Sequence, residues 1–280
     1  MSKPSSQRHN SSLYLQAFRG LLVRDLHVLR RELIPFVIRI AMNPLLFLFV
    51  FTFIMPHMSA GANPTAALAG AGGNGGYGTV LLPGLMAVAI MFSGIAAVAL
   101  PLSQEFGITR EIDDRVMCPL PVAMVALEKI FFSSMQSVLA AAVVFPLAYY
   151  IPTVPVLVHV TSWAFLIAVI LLASLTAGAL GLVIGTSVKP AQIGLIFGVV
   201  IMPITFLGCV YYPWAALNHL RWLQMLVLIN PIVYMSEGLR ASLTPSLPHM
   251  HPALILVMLG LSLAALSAMG IRGFLRRVIG

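Results

Sequence analysis

Charge is scarce in this chain: 9% of its 280 residues are Asp, Glu, Lys or Arg, and only eight of those are acidic. A soluble domain carries about 25% charged residues, so most of the surface is not built to face water. Lysine is almost missing, with only Lys3, Lys129 and Lys189. None of the three follows a glycine, as the lysine of a phosphate-binding loop must, so the chain has no nucleotide site of that kind. Cysteine is limited to Cys118 and Cys209. On the topology derived below they fall on opposite sides of a membrane and cannot pair. There is no HExxH, no Ser/His/Asp order and no pair of carboxylates within the apolar runs, which argues against a hydrolase. A proton or ion pathway normally shows ionisable side chains inside its spans. Here Arg39 and Lys129 sit at run ends, where they can snorkel.

Apolar residues fill the gap, at 60% of the chain with a mean hydropathy of +0.99. A soluble core cannot hide that much apolar surface, so the reading is one integral membrane domain over residues 1–280. Six runs, at 35–56, 80–102, 129–151, 161–187, 191–212 and 252–271, are each near the length that crosses about 30 Å of hydrocarbon. If all six cross, every one of the 16 basic residues except Arg221 and Arg240 lies on one side. Positive residues mark the cytoplasmic side, so both termini are expected there and the net charge of +8 needs no nucleic-acid partner. No signal peptide is expected, because about 35 residues, many of them basic, precede the first run. The Gly/Ala-rich stretch 57–79 reads as a flexible outer connector. Five of the seven histidines, His57, His159, His219, His249 and His251, fall on the outer side. His249-x-His251 reads as part of a proline-rich loop rather than as a metal site. The spacings Gly181-x-x-x-Gly185 and Gly194-x-x-x-Gly198 suit close helix contact in a membrane.

Residues 13–33 repeat with a helical period. Arg19, Arg24, His27, Arg30 and Arg31 share one face, and Tyr14, Phe18, Leu22, Leu26 and Leu29 share the other. This predicts an amphipathic helix lying on the inner membrane surface within a cytoplasmic segment 1–34. Asp25 and Glu32, at the rim of its apolar face, are candidate contacts for a cytoplasmic partner.

The stretch NPIVYMSEGLR (230–240) lies between the last two runs. Asn230 reads as a helix N-cap and Pro231 as the first helical residue, where a missing N–H costs nothing. Glu237 and Arg240, three apart, share a helical face and can pair. Upstream, 214–229 carries Trp214 and Trp222 but is too short in its apolar part to cross. The segment 213–250 therefore predicts a re-entrant helical hairpin at the outer side, with Asn230, Pro231, Tyr234, Glu237 and Arg240 as candidate outer-gate residues.

Two segments resemble the ABC-type-2 exporter permeases. One is QEFGITREIDDRVMCPLPVAMVALEKI (104–130), with its Glu105-x-Gly107 start, Glu111, and Pro119-x-Pro121 ahead of a run. The other carries Gly208, Tyr212-Pro213, Asn230-Pro231, Tyr234, Glu237-Gly238 and Arg240. Where many members have a proline-containing turn after the Tyr-Pro position, this chain has Leu217-Asn218-His219-Leu220. The pattern is most similar to the daunorubicin-resistance and nodulation-export branch. The resemblance implies an all-α integral membrane fold of six spans (35–272) and a bacterial inner-membrane location. It also implies a permease that works as a homo- or heterodimer, with a cytoplasmic ATPase subunit binding ATP and magnesium in place of this chain. In that scheme segment 103–128 is the cytoplasmic coupling loop, and Glu105, Gly107, Arg110, Glu111, Asp113, Asp114 and Arg115 are its candidate coupling residues. A reversible protein contact suits such a mixed-sign cluster. The implied cargo is lipid-like, a glycolipid or polysaccharide, or a hydrophobic drug. A membrane enzyme acting on lipid-linked substrates and a non-transporting assembly factor remain the alternatives at this point.

Overall fold

The computed structural model describes residues 5–54, 76–109, 121–152 and 156–279. Its described residues form helices and short turns, with no strand among them. Helix α1 spans Ser5–Arg31, and a one-residue break at Glu32 leads into α2, Leu33–Leu48, which continues as a wider helical turn over Phe49–Ile54. Then come α3 (Gly76–Gln104, prolonged as a wide turn over Glu105–Thr109), α4 (Val122–Tyr150), α5 (Trp163–Ser187) and α6 (Pro190–Phe206). The far end follows, with α7 (Arg221–Leu226) and α8 (Pro231–Leu243), before the closing α9 (Pro252–Ile279).

Four of the six apolar runs form helices long and apolar enough to cross a membrane: Gly78–Gly107, Val122–Tyr150, Trp163–Ser187 and Pro252–Val278. The other two form shorter apolar helices. In α2, Pro44 interrupts the backbone ladder after only part of the run. In α6, Pro190 opens the helix and Pro203 follows a wide turn over Phe197–Ile201. The two middle helices outrun their apolar stretches. Helix α4 begins at Val122, directly behind Pro121, so Glu128 and Lys129 lie inside it and not at its edge. Helix α3 runs on to Thr109, which puts Glu105 and Gly107 on its last turns and not in a loop.

Helix α3 is the most deeply buried of the four and packs against α4, α5 and α8. Its approach to α5 depends on missing side chains. A Cβ on Gly181 would lie 2.9 Å from the Ile95 carbonyl, and one on Gly94 would lie 2.6 Å from the Ala177 Cβ. Gly181 and Gly185 thus do hold helices close. Gly194 and Gly198 do not within this chain, since nothing lies within 4 Å of a Cβ on either.

Two ends of the bundle differ in chemistry. At the basic end, Tyr14, Ala17 and Leu21 of α1 pack on a cluster that includes Leu102, Ala126, Leu182 and Phe274. Arg277 closes the C-terminus of α5 there, its Nη1 donating to the carbonyls of Gly185, Thr186 and Val188 at 3.2, 3.0 and 3.2 Å. Those carbonyls have no partner within their own helix, so a cation is well placed to receive them. The same guanidinium lies 4.8 Å from the centre of the Phe106 ring. At the far end, α8 is docked against α3, α5 and α9 and is buried at every position from Ile232 to Leu243. The limb before it is not covered in this way: Trp222, Met225 and Ile229 are all exposed.

Candidate functional site

The far end is organised by α8. The Asn230 side chain accepts from Ile232 N–H at 3.1 Å, as an N-cap should, while its amide donates to the Ile204 carbonyl at 2.6 Å. Pro231 takes the first helical position. The Tyr234 hydroxyl donates to the Leu228 carbonyl at 2.8 Å, and Ser236 donates to the Gly208 carbonyl at 2.8 Å. Helix start, tyrosine and serine each fasten α8 to a different part of the chain before it.

Glu237 and Arg240 pair on the next turn, and both side chains are fully buried. The Glu237 Oε1 also accepts from Trp214 N–H at 2.9 Å, and its Oε2 accepts from Met250 N–H at 3.0 Å. Arg240 Nη2 donates to the Cys209 carbonyl at 3.1 Å. Two charges are removed from water at high cost, and the backbone partners offset that cost by saturating the carboxylate. The sequence shows the pair but not these ties. The donors at 214 and 250 and the acceptor at 209 are main-chain groups, which leave no signature in residue type.

Cys209 presents its carbonyl to Arg240 from a left-handed backbone, φ 52°, which is unusual for a residue with a side chain. It lies in the turn beyond α6, within the apolar run 191–212. Its side chain is fully buried.

The basic end holds a second polar assembly. Lys129 on α4 donates to Glu105 on α3 at 2.9 Å, and the pair is nearly inaccessible. Glu128, next to it in sequence, is also buried. The pair borders a vestibule of about 580 Å³ between α1, α2, α3 and α4. Arg24, Asp25, Glu32 and Arg39 line its other side. The structure thus brings Asp25, Glu32 and Glu105 to one space, although the sequence places them in separate segments. Glu105 is enclosed there by Lys129 and does not stand on an exposed loop. Gly107 sits where a Cβ would come 2.2 Å from Pro190 Cγ, so it keeps the end of α3 against the start of α6. Arg110, Glu111, Asp113, Asp114 and Arg115 lie outside the described residues.

The family model described as ABC-2 type transporter matches residues 16–244, which runs from α1 through the end of α8. No curated protein matches the chain, and no solved structure does.

Proposed function

The chain belongs to the ABC-2 type transporter family, and from that premise we propose that it is the membrane half of an ATP-driven exporter. It is a multi-pass permease component of an ABC transporter, and its family is not itself catalytic. Permease domains of this family generally work with a cytoplasmic ABC ATPase. ATP and magnesium belong on that subunit in this reading, since none of the three lysines here sits in a phosphate-binding loop.

The finer reading has several parts. α2 and α6, prolonged by their flanking turns, complete a set of six spans. The basic end faces the cytoplasm of a bacterial inner membrane, with both termini on that side. The permease acts with a second copy or a homologue. The daunorubicin-resistance and nodulation-export branch supplies the cargo class, which is lipid-like, saccharide-bearing or a hydrophobic drug. α1, the end of α3 and the segment 110–115 receive the ATPase. The limb 214–229 with α8 forms a re-entrant cap over the outer exit, latched by Glu237 and Arg240.

One observation carries this reading. The family match runs unbroken from α1 through the Glu237–Arg240 turn of α8 and takes in every apolar helix but α9. The test is ATP hydrolysis by the purified chain with and without a cytoplasmic ABC ATPase from the same cell, in lipid vesicles. The chain alone should hydrolyse nothing, and the complex should hydrolyse ATP and be stimulated by cargo. Hydrolysis by the chain alone, or a chain that binds no ATPase, would overturn it.

A further inference from the structure

Two cavities meet at Arg39. One is the polar vestibule. The other, about 250 Å³, lies between α2, α3 and α6 and is walled by Phe36, Ile40, Pro44, Val88, Phe92 and Phe197. Phe36, Arg39, Ala96 and Leu100 border both, so the polar and apolar spaces lie side by side with Arg39 in their common wall. Arg39 stands at the join, six residues beyond the start of α2, or roughly 9 Å along a helix rising 1.5 Å per residue.

The other cations of the vestibule are engaged. Lys129 is held by both oxygens of Glu105, and Arg24 has an interaction of its own. Arg39 has no hydrogen-bond or ion-pair partner among the described residues. It is exposed near the start of an apolar helix, so its guanidinium can snorkel to the headgroup level and meet an anion there. Its planar fork suits a phosphate.

The apolar pocket adds shape rather than affinity. A hydrocarbon chain leaving the bilayer gains little from an apolar wall, because lipid tails are as apolar as leucine. At about 250 Å³ the pocket is below the range of roughly 300–1,000 Å³ typical for drug-sized ligands, so it fits one chain better than a ring system. Glu32, Gln104 and Gln136 line the vestibule beyond Arg39 and can accept from headgroup hydroxyls. They and Asp25 would repel a headgroup made only of negative charge.

We propose that the Arg39 junction binds a phosphate-bearing amphiphile, with the phosphate on Arg39, a hydroxylated headgroup in the vestibule and one chain between α2, α3 and α6. The site is independent of the ATPase. The same chemistry has two sources, a lipid resident in the membrane or the exported cargo, and only the second rests on the exporter reading.

The test begins with the full chain alone, in vesicles of equal parts phosphatidylglycerol and phosphatidylcholine. It is then extracted in mild detergent, and its bound lipid is counted by native mass spectrometry. Phosphatidylglycerol should be retained about fivefold over phosphatidylcholine, the ratio expected of one charged contact near a membrane surface. Arg39→Gln should abolish the preference with an unchanged melting temperature, and Arg39→Lys should keep part of it. Phe92→Trp, which fills the pocket without changing charge, should lower retention. No preference in the wild type, or the same preference in Arg39→Gln, overturns the site. The source is then read in proteoliposomes with the ATPase and fluorescent phosphatidylglycerol. ATP-dependent movement to the other leaflet identifies cargo, and retention without movement identifies a resident lipid; either result supports the site.

Discussion

Glu237 and Arg240 are bonded to each other on one turn of α8, and each also holds a segment that the other does not reach. Glu237 takes the backbone N–H groups of Trp214 and Met250, and Arg240 reaches the carbonyl of Cys209. The pair therefore joins four stretches of chain at the far end, and its two members have different jobs.

That asymmetry gives the first prediction. Glu237→Gln or Arg240→Gln leaves a buried charge unpaired and should destabilise the chain by about 3–5 kcal/mol. The charge swap Glu237→Arg with Arg240→Glu should not rescue it, although a simple two-charge latch would allow rescue. An arginine at 237 cannot accept from the two N–H groups that the carboxylate now satisfies. Thermal unfolding in detergent checks this, and a swap as stable as wild type would refute it.

The Glu105–Lys129 pair behaves differently, because its partners are two side chains that can be removed together. Lys129→Met alone should destabilise by about 3–5 kcal/mol, since it strands Glu105. Adding Glu105→Leu should recover much of that loss, because an apolar replacement of a buried pair is often neutral. A double-mutant cycle on unfolding midpoints measures the coupling.

Cys209 should be inert. Its thiol is fully buried, so it stays out of reach of reagent between pH 7 and 9.5, where an exposed cysteine near 8.5 ionises and reacts. Maleimide labelling of the folded chain in detergent should stay low across that range and become complete in denaturant. Cys209→Val should destabilise by about 1–3 kcal/mol, because a branched side chain tolerates the left-handed backbone poorly.

Two glycine pairs with the same spacing should separate cleanly. Gly181→Val forces α5 away from the Ile95 backbone and should lower accumulation of the chain, with a cost of about 1–3 kcal/mol. Gly194→Val meets open space and should leave the melting temperature within about 1 °C, since substitutions touching nothing fall within ±0.5 kcal/mol. Equal effects would refute the packing account.

The sequence announces some of this fold more clearly than the rest. The start of α8 is legible because Asn230-Pro231 is a local signal read by neighbouring N–H groups, and the Glu237–Arg240 spacing lies within one turn. The all-helical membrane class is legible from apolar runs. The start of α4 is not, because Glu128 and Lys129 look like the polar edge of a span until Glu105 neutralises the lysine from 24 positions away. The crossing length of the first and fifth runs is blurred for another reason. Hydropathy counts apolar residues but does not register the wide turns and prolines that end regular helix at Leu48 and Phe206. Arg277 gives only a basic mark near the terminus, and nothing in its neighbours points to the carbonyls at the end of α5.

Because Glu237 is held by main-chain N–H groups, the side chains at 214 and 250 are chemically interchangeable in that role, proline excepted. What must not change is the length of chain between these anchors. A one-residue insertion in 244–249 would pull the Met250 N–H off the carboxylate, even though much of that stretch is exposed and looks dispensable. In holding Glu237, positions 214 and 250 are therefore permissive to amino-acid replacement, while the chain between the anchors is intolerant of insertion or deletion.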